Sequence, residues 1–327
     1  MIKFKKLKKL LHPLRLGKQK YLARYVKSQG YRRLIEINPQ RALEIFWYLS
    51  YGRNIDWDNP RTLNEKIQWL EAFTDTTQWT ECADKVLMRH YIERIGLGKY
   101  LPKLYGVWER AEDIDFASLP KGFAIKCNHD CGSTVVVRDK DTIDHQELCR
   151  HLNRCVAIPY GYDACEPHYT RINRRIMAEE LLPLPDVTKE HIDSQSPVDY
   201  KIWCLDGKAY AVMVCYDRTN EHGVFDSYDV HTWEIRRDRL SPRYRQQEFK
   251  QIPPPQHLDD MIRVAERVAT GFPQVRVDLY NINGRIFIGE MTLTGAGGRM
   301  ISWSDEFQLE MGSRITLPPA TKPYYKE

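Results

Sequence analysis

The sequence predicts an α+β protein in which antiparallel hairpins alternate with helices. Three observations carry that reading. Alternating apolar runs flank the turn dipeptides Asp206–Gly207 and Asn283–Gly284, and such dipeptides suit tight hairpin turns because both residues tolerate positive φ. A third pair of short apolar runs encloses the polar loop NHDCGS, residues 128–133. Helical periodicity fills the segments between. The composition agrees: of 327 residues, 42% are hydrophobic and 28% charged, enough to bury one or two cores and unlike a disordered or fibrous chain. No repeat is apparent. The longest apolar stretch is Ala209–Tyr216, far short of the ~20 residues of a membrane-spanning helix. Eight scattered cysteines read as the reduced thiols of a cytosolic protein.

Charge divides the chain. Residues 1–40 hold twelve Lys/Arg and one acid, Glu36, a net of +11, whereas the rest carries a net of −6. Within that arm, apolar residues at roughly helical spacing alternate with lysines, and Pro13 interrupts the pattern. Three readings follow: a basic amphipathic segment on an anionic membrane surface, a solvated helix packed on the main body, or contact with another polyanion. Nucleic acid is not the expected partner.

After the arm, helices are expected over Arg41–Tyr51, Thr62–Phe73 and Glu81–Ile95, the last stopped by Gly96 and Gly98. Strands are expected at Phe123–Cys127 and Thr134–Arg138, then a helix at Gln146–Val156 and a strand at Ile176–Leu182. Prolines 183, 185 and 197 mark a connection. The strands Asp199–Leu205 and Lys208–Tyr216 follow, then the helix Leu258–Thr270 and the strands Gln274–Tyr280 and Arg285–Met291. The resulting divisions are an arm (1–40), a helical region (41–118), a small α+β unit (119–182) and a larger one (183–327).

The last hairpin carries the most chemistry. Alternation puts Arg276, Asp278 and Tyr280 on one face of their strand, and Ile286, Ile288, Glu290 and Thr292 share a parity on the next. Pairing brings Asp278 opposite Glu290. Two facing carboxylates repel unless something positive joins them. Mg²⁺ suits such a pair, since it takes one or two carboxylates together with phosphate oxygens; a hairpin whose acidic face simply meets water is the other reading. The NHDCGS loop, with Gly132 and Ser133 at its end, can offer backbone N–H groups to a phosphate, with Lys126 beneath it, or it is a plain hairpin tip. The run IMAEELL, which includes Glu180, passes into a proline-marked linker, where exposed main-chain N–H and C=O groups can pair with the edge of adenine, or the segment is a buried strand. Cys127 and Cys131 lack the further ligands a zinc site needs.

In order along the chain these segments resemble the ATP-grasp superfamily, whose two α+β subdomains clasp ATP. ADKVLMRHYIERIGL resembles its entry helix, with Lys85 as the first phosphate-binding lysine. FAIKCNHDCGSTVVV resembles the strand bearing the second, Lys126, and the flexible loop. AEELLPLPD resembles the adenine hinge, which implies backbone contacts from Glu179 and Leu182 and a ribose contact from Asp186. RVDLYNINGRIFIGEMT resembles the magnesium hairpin, which implies Arg276 on the transferred phosphoryl group and Asp278 and Glu290 on metal. The motifs NPRTLNEKIQWL, KCNHDCGST, DYKIWCLDGK, Tyr216–Asp217–Arg218 and GEMTLTGAGG are similar to the TupA-like branch, named for teichuronopeptide synthesis and met among bacterial surface-polysaccharide genes. Two features depart from the superfamily: Thr292 stands where it usually has Asn, and Gly132 is the only glycine of the loop. Lys201 falls where many relatives have a basic phosphate contact.

The resemblance implies a ligase using ATP and Mg²⁺ to join an amino acid or other amine to an acidic sugar of a polysaccharide precursor. Such an enzyme would be cytoplasmic, and peripheral on the inner membrane face if the basic arm holds it there. Arg218, just after a strand, would anchor the acceptor carboxylate, because its fork matches that group; a surface salt bridge is the plainer role. One rival is a glycosyltransferase holding a metal through Asp113 and Asp115 or Asp139 and Asp141. The other is a catalytically silent nucleotide-binding protein.

Overall fold

A computed structural model describes residues 20–186, 196–217 and 223–322. Helix α1 (Gln29–Ile37) begins where the Ser28 hydroxyl accepts the Tyr31 N–H at 3.2 Å. Helix α2 (Pro39–Tyr51) opens on a proline, whose missing N–H is no loss in a first turn, and ends at Gly52 with φ 66°. Helix α3 (Leu63–Phe73) carries a reciprocal cap: Thr62 Oγ1 accepts from Glu65 N and Glu65 Oε2 from Thr62 N, at 3.2 and 3.0 Å. The single helix expected at 81–95 is two, α4 (Thr77–Ala83) and α5 (Leu87–Arg94). The break is at Asp84, whose carboxylate accepts the N–H groups of Val86 and Leu87 at 2.8 and 3.2 Å. Such side-chain capping competes with continuation of the helix.

Two antiparallel sheets follow. The first has the order β1–β4–β2–β3, from β1 (Leu104–Trp108), β2 (Phe123–Cys127), β3 (Val135–Val137) and β4 (Ile176–Glu180). Helix α6 (His145–Ala157) buries Leu148 and Leu152 against it. Because β1 comes from residues 104–108, this sheet reaches beyond the expected 119–182 unit. The second sheet, β7–β6–β5–β8–β9, comprises β5 (Asp199–Leu205), β6 (Lys208–Tyr216), β7 (Val224–Asp229), β8 (Gln274–Ile282) and β9 (Arg285–Thr292). Between β7 and β8 lie the short helix α7 (Pro242–Arg245) and α8 (Leu258–Val268); α9 (Asp305–Ser313) follows β9. Helix α8 buries Met261, Ile262, Ala265 and Val268 in the core formed by Val275, Val277, Leu279, Ile286 and Ile288.

That packing fixes which face of the last hairpin is left for chemistry, and a bulge adjusts it. Asp278 pairs with Glu290, but Leu279 pairs with Ile288, so Gly289 is the extra residue. Unbroken alternation would keep Glu290 on the face of Ile288. The bulge instead sends Ile288 and Met291 into the core and places Glu290 and Thr292 beside Asp278 and Arg276. A Cβ on residue 289 would lie 2.8 Å from Tyr280 Cε2, hence the glycine.

Part of the basic arm is core. Tyr31 and Ile35 of α1 are buried with Leu43, Phe46, Trp47, Phe73 and Cys165. Residues 1–19, which carry the first amphipathic run, lie outside the described residues.

Candidate active site

A lysine between two helices reaches both the loop of the first sheet and an acid of the second. Lys85, in the link between α4 and α5, donates to the Asp130 carbonyl at 2.5 Å. Its Nζ also lies 3.8 Å from Glu290 Oε1 on β9. One lysine thus touches both the NHDCGS loop and the acidic hairpin. Asn128 holds that lysine and the loop together: its carbonyl accepts from Lys85 N at 3.0 Å, and its side chain bonds Asn173 O and Arg175 N at 2.9 and 2.7 Å. Sequence reading passed over Asn128 because its partners are 45 and 47 residues away.

Lys126 on β2 bonds the Glu179 carboxylate on β4, and Arg89 Nη1 lies 3.7 Å from the other Glu179 oxygen. The Glu179 main chain, expected at adenine, lies within the first sheet. β4 is an interior strand, in which Glu179 pairs with Ala124 on β2 and faces Leu104 on β1. Glu180 is likewise tied to Lys103, through both its N–H and its carboxylate, at 2.8 and 3.1 Å. Leu182 lies past the last ladder pair and is half-buried. Asp186 binds the tip of the β8–β9 hairpin, where its N–H and carboxylate meet the Asn283 side chain at 3.0 and 2.9 Å.

In the loop, Gly132 is exposed, with φ 142°. Ser133 is buried and its hydroxyl is used locally, accepting from Cys127 N at 2.8 Å and donating to Asp130 at 2.5 Å. Cys131 Sγ lies 2.8 Å from Tyr160 Oη. Tyr160 packs edge-on against Tyr169 with ring centroids 5.1 Å apart. Burial, with the negative charge of Glu290 adding to it, holds the Tyr169 phenol well above its usual range.

The acidic face is more fully neutralised than the sequence suggests. Asp278 receives Arg276 Nε at 2.6 Å, Arg276 Nη2 at 2.8 Å and Lys201 Nζ at 2.5 Å. Lys201 also reaches Asp199 at 2.6 Å. Burial opposes ionisation of Asp278, but Arg276 and Lys201 outweigh it and hold the carboxyl below its ordinary value. Lys201 therefore braces Asp278 from β5. Arg276 Nη2 also donates to Thr292 Oγ1 at 2.9 Å. Glu290 is the more open acid, with 27% of its side chain exposed.

For Mg²⁺ the donor set fits in part. Glu290 and Asp278 face each other across the ladder, and Mg²⁺ is usually bound through one or two carboxylates with phosphate oxygens, but both Asp278 oxygens are engaged. Among the described residues, no group of three or more His, Cys, Asp or Glu is arranged for a metal. Arg218 lies outside the described residues. The acids of the glycosyltransferase reading serve local turns: Asp115 accepts from Ala117 N, and Asp139 pairs with Lys121, each at 3.0 Å.

Behind this face is a buried polar cluster that sequence reading missed. Thr294 donates to Glu166 at 2.5 Å, and Glu71 on α3 meets His168 Nδ1 at 2.8 Å. Burial pushes Glu71 up to about 8 and Glu166 up to about 7, and depresses His168 to about 4.

Two antiparallel sheets flanked by helices, with Lys85 of the α4–α5 link set between the NHDCGS loop and Glu290 of the last hairpin, make this an α+β protein with a cationic contact between its two sheet units. The chain belongs to the TupA-like ATP-grasp family, whose model matches residues 65–316. No curated protein sequence matches it. Similar solved structures include a D-alanine–D-alanine ligase from Helicobacter pylori, at 13% identity and TM-score 0.38, covering 76% of this chain and 62% of that one. Another is a D-alanine–D-alanine ligase from Bacillus anthracis complexed with ATP, at 13% and 0.39, covering 80% and 76%. A third is the ATP-grasp ligase PsnB with a precursor variant, Mg and ADP, at 12% and 0.38, covering 79% and 62%. The chain spans less than two thirds of the first and third, and no residue assignment rests on these likenesses. All eight cysteines are free. No helix among the described residues is long and apolar enough to cross a membrane.

Proposed function

We infer that the chain is an ATP-dependent carboxylate–amine ligase. The observation that carries this is the placement of Lys85 between the NHDCGS loop and Glu290, which fits a nucleotide's phosphates lying between the two sheets. Lys85 and Lys126 would exchange their present partners for phosphate oxygens. Mg²⁺ would be held by Glu290 and Asp278, with Thr292 adjoining, and would neutralise charge on the β- and γ-phosphates. An acceptor carboxylate oxygen attacks the γ-phosphorus as the bond to ADP breaks, giving an acylphosphate. An amine then attacks the acyl carbon, phosphate leaves, and the nitrogen sheds a proton. Arg276 faces the developing phosphoryl charge, and the protein otherwise acts by alignment. Gly132 and the loop main chain would cover the phosphates, and adenine would meet the main chain at Leu182, past the β4 ladder. Asp186 would reach the ribose by releasing Asn283.

The substrate class we propose is an acidic sugar of a bacterial surface-polysaccharide precursor as carboxylate and an amino acid as amine. The net charge of +11 over residues 1–40 supports attachment of the enzyme to an anionic membrane surface.

The test is incubation with Mg–ATP, a panel of uronic acids and an amino-acid mixture, read by mass spectrometry for an amide and by ADP release. Glu290→Gln should abolish product while leaving thermal unfolding within ~1 kcal/mol of the parent, because its ion pair with Lys85 is long and partly exposed. Product formed at the parent rate by Glu290→Gln overturns the metal assignment. Nucleotide binding without ADP release from any combination favours the silent reading.

A further inference from the structure

The glycine loop after β9 is held by side chains from distant parts of the sequence. Ala296, Gly297 and Gly298 all have left-handed φ, of 51°, 64° and 65°, a succession that a free loop does not keep by itself. From α3, Gln68 Nε2 donates to Gly297 O at 3.0 Å, and Asn64 Oδ1 accepts from Met300 N at 3.1 Å. From the segment between α6 and β4 comes Glu166, whose carboxylate accepts the Thr294 hydroxyl at 2.5 Å with both residues buried. Thr294 is the joint between two regions. Two residues before it, Thr292 contacts Arg276. One residue after it, a Cβ on Gly295 would stand 3.6 Å from Arg276 Nη1.

Burying a carboxylate costs more than one hydroxyl bond returns. Groups held at such a cost gather at functional sites. We propose that Glu166 is a positioning residue for the ligation: by holding Thr294 it sets the glycine-loop backbone against Arg276 and thereby orients the acceptor's acyl group for attack. This rests on the ligase reading above. Glu166 acts through Thr294, so its removal is expected to affect turnover and loop order before it affects nucleotide binding.

The experiment compares the full chain with Glu166→Ala, Glu166→Gln, Thr294→Val and the Ala/Val double variant. Hydrogen exchange of peptides spanning 293–300, the Kd for Mg–ADP, and ADP release with the uronic-acid and amino-acid panel are measured on each. Glu166→Ala and Thr294→Val should each speed exchange about tenfold, and the double variant should add little, because both remove one bond. ADP release should fall about tenfold or more, as expected for a misplaced reacting group, while the Mg–ADP Kd moves less than about twofold. Glu166→Gln keeps an acceptor oxygen and should recover both protection and most turnover. Unchanged protection in Glu166→Ala, additive effects in the double variant, or turnover lost only in proportion to Mg–ADP affinity would overturn the proposal. If Glu166→Ala does not fold, Thr294→Val and Glu166→Gln carry the same comparison. A parent protein that binds Mg–ADP but releases no ADP refutes the ligase reading, and the exchange data then judge the anchoring of the loop alone.

Discussion

Replacing Asp278 by Asn removes the negative charge that two buried cations share. Arg276 meets it through two nitrogens and Lys201 through one, and its side chain is only 5% exposed. The amide keeps the shape and one acceptor, so no cavity opens. What changes is charge, since Arg276 and Lys201 then face Asp199 with one carboxylate too few. Unpairing a buried ion costs about 3–5 kcal/mol. Some of that is returned because Lys201 retains Asp199 at 2.6 Å, so a loss of ~2–4 kcal/mol is expected. Urea unfolding at pH 7 measures it. Adding Lys201→Met removes the surplus cation, and the double variant should be more stable than the sum of the single losses predicts, by ~1–3 kcal/mol. The same pairing has a pH signature. The Asp278 carboxyl is held below its usual value, so its contribution is present above the unfolded-state value near 3.8 and is lost as pH falls below it. A loss under ~1 kcal/mol in Asp278→Asn, or strictly additive single effects, would refute the charge-balance argument.

Other expectations are briefer. Gly289→Ala must move the Tyr280 ring, 2.8 Å from the new Cβ, and should cost ~1–3 kcal/mol in urea unfolding; a neutral result would mean that the bulge has slack. If Lys126 meets phosphate as proposed, Lys126→Met loses one charged contact worth about 1.5–3 kcal/mol, so calorimetry should show Mg–ADP binding weakened about tenfold or more, and unchanged affinity would remove Lys126 from the site. Burial raises the Glu71 carboxyl to about 8 from 4.5, opposed by Arg171 and Lys322. The folded state then keeps a proton that the unfolded chain releases, so stability should fall as pH rises from about 5 to 8. His168, depressed to about 4, contributes the opposite slope below its unfolded value near 6.5. In Glu71→Gln the decline between pH 5 and 8 should flatten, and a decline as steep as the parent's would contradict the assignment.

Local signals account for the parts of the fold that were legible. The strands around Asp206–Gly207 run over Asp199–Leu205 and Lys208–Tyr216 as expected, because turn chemistry and alternation agree there. The pairing of Asp278 with Glu290 was also readable, although by simple alternation Glu290 would have shared a face with Ile288. The bulge at Gly289 that separates them depends on how Tyr280 packs, which no periodicity reports. Asp84 interrupts a run that looks helical throughout, and an aspartate in such a run carries no warning of its own. Strands β1 and β7 were not anticipated: LYGVW holds a glycine, and VFDSYD is largely polar. The cluster of Glu71, Glu166, His168 and Thr294 was out of reach, since its bonds join residues 97 and 128 positions apart.

Helices α1 and α2 have a practical consequence for where the chain can be cut. The family match starts at residue 65, which invites trimming to that point. Yet Tyr31, Leu43, Phe46 and Trp47 cover Phe73 and Cys165, the Tyr51 hydroxyl accepts from Asn64, and Ser50 accepts from Arg299 at 2.7 Å. A fragment begun at 65 would expose an oily seam beside the glycine loop and leave Asn64's partners without their neighbours. Any shortened version intended for crystals or assays should keep everything from Ser28 onward.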